Sequence, residues 1–156
     1  MKRAFFLAAS MIFWAIPATA QSAADAEVQR LRAELQAGQI RENVPAESDF
    51  SRLLQRDLEA HFALIGISNP SVEFELLRQG ATQSGVAYPK FYLWVRIQSD
   101  RGAAITGAVR VAAVARTRFD VTNFLSAKEI NDQPNRVAAI FPKALEVAII
   151  ERAQAR

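Results

Sequence analysis

Cysteine is absent from this chain and histidine occurs once. Without cysteine there can be no disulfide, no thiol nucleophile and no cysteine-linked lipid, and a zinc cluster loses its usual ligands. A lone imidazole also leaves no basis for a multi-histidine centre, so no metal is expected. Neither a G-x-S-x-G elbow nor a glycine-rich phosphate loop occurs among the six glycines. No cofactor is therefore expected, and no serine stands out as a nucleophile. An N-x-S/T acceptor for glycosylation is missing too. Long apolar runs are lacking: the stretch from Ala4 to Ile16 covers 13 residues and is interrupted by Ser10. A helix that spans a bilayer needs roughly 20 apolar residues, so no transmembrane anchor is expected.

What is present begins at the same end. Lys2 and Arg3 precede the apolar run, Pro17 breaks it, and Ala18-Thr19-Ala20 supplies small side chains two apart. These are the three parts of a secretory signal, and cleavage after Ala20 is predicted. The remaining 136 residues can bury a core without covalent staples. Export without cysteine or sequons points to a bacterial envelope, with the periplasm as the expected compartment. The predicted organisation is a signal peptide over 1–20, a helix and linker over 21–48, and one domain over 49–156.

Charge is segregated along the chain. The formal net charge of +3 falls to +1 once Lys2 and Arg3 are removed, which argues against a nucleic-acid partner. Residues 21–75 carry ten acids against five arginines, whereas residues 76–118 carry seven bases against Asp100 alone. Acidic helices lying against a basic sheet would account for both halves.

Hydrophobic periodicity supplies the elements. Ser22 to Ala37 is predicted as a helix, with Ser22 and Asp25 as a capping box, Gly38 as its stop, and a narrow seam of Ala24, Val28, Leu31 and Leu35. That seam is too short by itself to specify a coiled coil, and it fits either a helix laid loosely on the domain or a docking helix for a partner. Gln39 to Ser48 is predicted as a polar linker. Asp49 to Ile65 follows as a second helix with a strong apolar face ending at Gly66. Three strands are expected over 72–76, 90–99 and 104–119, with a turn at Ser99-Asp100-Arg101-Gly102 and Gly107 as a candidate bulge. Phe119 to Leu125 either extends the sheet or forms an irregular edge. Ser126 and Glu129 form a second capping box, and Val137, Phe141, Leu145 and Ile149 make an i+4 stripe interrupted by Pro142. The order α-α-β-β-β-α implies an α+β fold, a small antiparallel sheet of about three strands with helices on one face.

Two candidate sites emerge. In the strand KFYLWVRIQS, Phe91, Leu93, Val95 and Ile97 alternate with Tyr92, Trp94 and Arg96. If the first set faces the helices, the second forms an exposed face that Arg110 and Arg116 extend. Aromatic rings interleaved with guanidinium groups suit a protein or glycan contact, and a flat sheet face favours protein. Glu73 and Glu75 share that face and are expected to pair with Arg96, Arg110 or Arg116. The second candidate is Asp57–His61. Helical spacing lets a carboxylate orient an imidazole, which as general base would serve a small hydrolase or lyase. A structural Asp–His bond fits the same spacing. The expected function is a non-catalytic periplasmic accessory or binding protein, with the hydrolase as the alternative.

Overall fold

The computed structural model describes residues 18–84, 86–100 and 102–155, with side chains from Asp25 onward except Ala103. Most of the expected signal peptide, 1–17, lies outside the described residues. Among them no helix is long and apolar enough to cross a membrane.

Helix α1 spans Ala18–Asn43 and α2 spans Glu47–Leu64. Strands β1 (Ser71–Leu76), β2 (Lys90–Ser99), β3 (Gly102–Val114) and β4 (Arg118–Ser126) follow, and then helices α3 (Ala127–Asp132), α4 (Asn135–Ile140) and α5 (Lys143–Gln154). The strands form one antiparallel sheet in the order β1-β2-β3-β4. The α+β class is as the sequence predicts, with four strands rather than three.

Acidic Glu47 and Asp49 in the first turn of α2 complement the helix dipole. The helix stops where Gly66, at φ +98°, reverses the chain. Gly66 N–H reaches the Ala63 carbonyl and Ile67 N–H the Phe62 carbonyl, so glycine's tolerance of positive φ closes the last turn. Leu54, Leu58 and Phe62 repeat at i+4 and are fully buried against Leu93, Val95, Val109 and Val111. Each such side chain contributes roughly 1.5–3 kcal/mol by leaving water.

The opposite face is also covered, which corrects the expectation of helices on one side. Tyr92, Ala108 and Leu125 are buried beneath Ile130, Val137, Phe141, Leu145 and Ile149 of the C-terminal helices. Pro142 breaks the stripe into α4 and α5, yet all four of its members reach this second core.

Three boundaries also differ. The strand expected over 104–119 ends at Val114, and the sheet extension after it is a full strand, β4, joined to β3 by a tight turn in which Ala115 and Arg116 hold φ +51° and +62°. Thr117 N–H closes it on the Val114 carbonyl at 3.3 Å. Gly107 is no bulge, since the register shifts at Ile97/Ser99 and at Arg110/Val111. Its glycine is needed because a Cβ there would overlap the Leu125 carbonyl and lie 2.7 Å from the Phe124 ring. Finally, α1 begins upstream of Ser22 and continues through Gly38 to Asn43, so the linker shrinks to Val44-Pro45-Ala46.

Candidate functional site

Cross-strand register places the residues of the first candidate. Tyr92 lies opposite Arg110, Trp94 between Glu75 and Ala108, and Arg96 between Glu73 and Thr106. Burial then separates them. Tyr92 is only 5% exposed and its hydroxyl lies 3.0 Å from Thr82 Oγ1, so it is part of the second core. Arg110 donates to Thr122 Oγ1 at 3.0 Å, to Asn123 Oδ1, and to the Ile140 carbonyl at 3.0 Å. That carbonyl ends α4, where a cation is favourable, and so Arg110 ties the sheet to the C-terminal helices. Arg116 sits in the β3–β4 turn, roughly 27 Å along the strand from the position opposite Arg96.

Trp94 and Arg96 remain. Trp94 is half-buried against the C-terminal cluster, and Arg96 is exposed one pleat beyond it. Glu73 faces Arg96 across the strands, but among the described residues no ion pair joins them. Glu75 pairs instead with Arg152 of α5 through two bonds of 2.6 and 2.7 Å, and the guanidinium holds the Glu75 carboxyl below its ordinary range. Nor does the acidic N-terminal half neutralise the basic sheet: among the described residues every ion pair of residues 21–75 lies within that segment or reaches Arg152. Arg78, Arg96 and Arg116 are exposed.

The second candidate comes together differently from its expectation. Asp57 and His61 line one shallow groove beside Arg118, Phe119 and Asp120. Among the described residues no hydrogen bond joins the two. Asp57 Oδ2 accepts the Phe119 backbone N–H at 2.7 Å, and Oδ1 accepts Arg56 Nε at 2.8 Å. Arg56 also donates to the Thr117 carbonyl at 2.8 Å. The carboxylate thus anchors the start of β4 to α2. Burial alone pushes the His61 imidazole below its ordinary pKa, which favours the neutral form.

Sequence reasoning missed two features. Ile40, Val44, Phe50, Leu76 and Phe91 line an open apolar groove of about 490 Å³ where α1 meets α2 and the end of β1. Its walls come from four separate elements, so no local pattern announces it. The second is Asn43, a buried polar residue whose Oδ1 accepts Ala115 N–H at 3.1 Å. Its own carbonyl accepts Arg116 N–H at 2.8 Å. Comparison with family models, with curated proteins and with solved structures found no match.

Proposed function

We propose that the chain is an exported periplasmic accessory or binding protein, without catalytic activity, that engages a protein partner through the uncovered part of its sheet face. The observation that supports this reading is the pairing of half-buried Trp94 with exposed Arg96 where the helical cover ends. Tryptophan and arginine at the edge of a desolvated patch are the residue types that concentrate binding energy. Glu73 beside them adds a charge of the opposite sign without neutralising it, so the patch can select a partner by complementary charge as well as by stacking.

Retention of a partner from envelope extracts tests the proposal. Arg96→Ala and Trp94→Phe are expected to lose or weaken it by at least tenfold while leaving the circular dichroism spectrum unchanged. Arg116→Ala, at the far end of the sheet, is expected to keep it. An identical set of captured proteins for all four chains would refute the assignment.

A further inference from the structure

Helix α1 presents an apolar seam to solvent. Val28, Leu31 and Leu35 are 43%, 48% and 68% exposed, spaced three and four apart. Apart from its last turn and a groove shared with Val86, the helix packs extensively on no other element among the described residues. Its C-terminal end is held firmly, because Asn43 bonds to both residues of the β3–β4 turn. The result is a fixed helix whose apolar stripe stays largely exposed, and of its residues only Leu35, with Arg32 next to it, borders the groove beside Val86.

We infer that this stripe is covered by the same stripe of a second copy, in a parallel two-stranded coiled coil. In a heptad, Val28 and Leu35 take the a positions and Leu31 the d position, and a β-branched a residue beside leucine at d favours two strands. Charge then selects the partner. Glu27 falls at g and Arg32 at e, so a parallel copy sets Glu27 against Arg32 of the second chain, twice by symmetry. Arg32 has no ion pair within its own chain among the described residues, whereas Arg30, on the outer face, pairs with Glu27 and Glu34. An antiparallel copy is less favourable: one register offsets its Asp25–Arg32 contact by setting Glu27 on Glu34, and the other sets Arg32 on its own counterpart. The sequence therefore prefers itself, in one orientation. This inference uses none of the residues assigned to partner binding on the sheet and stands or falls separately from that reading.

The absence of native cysteine makes the test clean. Val28→Cys and Leu35→Cys, each introduced alone into the full chain, are expected to form self-disulfides under mild oxidation. Parallel alignment sets each position against itself, while either antiparallel register sets both against other residues. In sedimentation, Arg32→Glu is expected to weaken the dimer by roughly tenfold, since two attractive pairs become repulsive. Combining it with Glu27→Arg is expected to recover most of the loss, which a merely damaged helix would not do. A monomer at every concentration would overturn the inference. So would crosslinking only when the two cysteine variants are mixed, or crosslinking to a different protein.

Discussion

His61 sits where burial disfavours its charged form, and the consequence for stability has a definite sign. The unfolded chain takes up a proton near the ordinary imidazole pKa of about 6.5, while the folded chain resists protonation until lower pH. Above that value the group leaves stability unchanged. As pH falls through it and on to the lowered folded value, stability is lost. Urea midpoints at about pH 7.5 and about pH 5 are expected to show a smaller acid-induced drop for His61→Gln than for the wild type. An equal drop would place the sensitivity elsewhere. The i+4 spacing of Asp57 and His61 was legible in the chain, but their partners were not. Asp57 bonds to Phe119 N–H, 62 residues away, and no local pattern encodes that choice.

At the scale of elements, the junction between α1 and the β3–β4 hairpin carries the clearest test. Two adjacent non-glycine residues at positive φ cost about 1–2 kcal/mol each, and Asn43 holds the turn from outside by accepting both of its N–H groups. Asn43→Ala is expected to destabilise the domain by about 0.5–1.5 kcal/mol, because the Ala115 N–H in the exposed turn loses its side-chain acceptor. Chemical denaturation measures this, and a change near zero would mean that water replaces the amide. The same turn explains why the strand expected over 104–119 ran past its end at Val114. Tight hairpins ordinarily announce themselves with Asn-Gly or Asp-Gly, and Ala115-Arg116 carries neither signal. By contrast, the Ser126–Glu129 capping box and the Pro142 break were legible, since both act within a single turn of backbone.

For the molecule as a whole, the proposed export requires the N-terminal segment to be removed. Intact mass of the protein from the envelope fraction is expected to place its first residue at Gln21; a chain still beginning at Met1 would refute cleavage. The larger revision concerns the sheet. Residue alternation in β2 established by itself that two faces exist and which side chains share each of them. Elsewhere in the chain, residue type and short, regular spacing likewise established the four-residue stripe at 137–149 that needed a partner, the class of fold, and the absence of any thiol. Only the tertiary structure decided that α2 takes the Leu93 face and the C-terminal helices take the Tyr92 face. Both faces can bury apolar area, and hydrophobic burial has no direction of its own. The choice rests on chain connectivity, on the close approach allowed at Gly107, and on Arg110 reaching the end of α4. That choice removes Tyr92 and Arg110 from the candidate surface and leaves Trp94 and Arg96 at its edge.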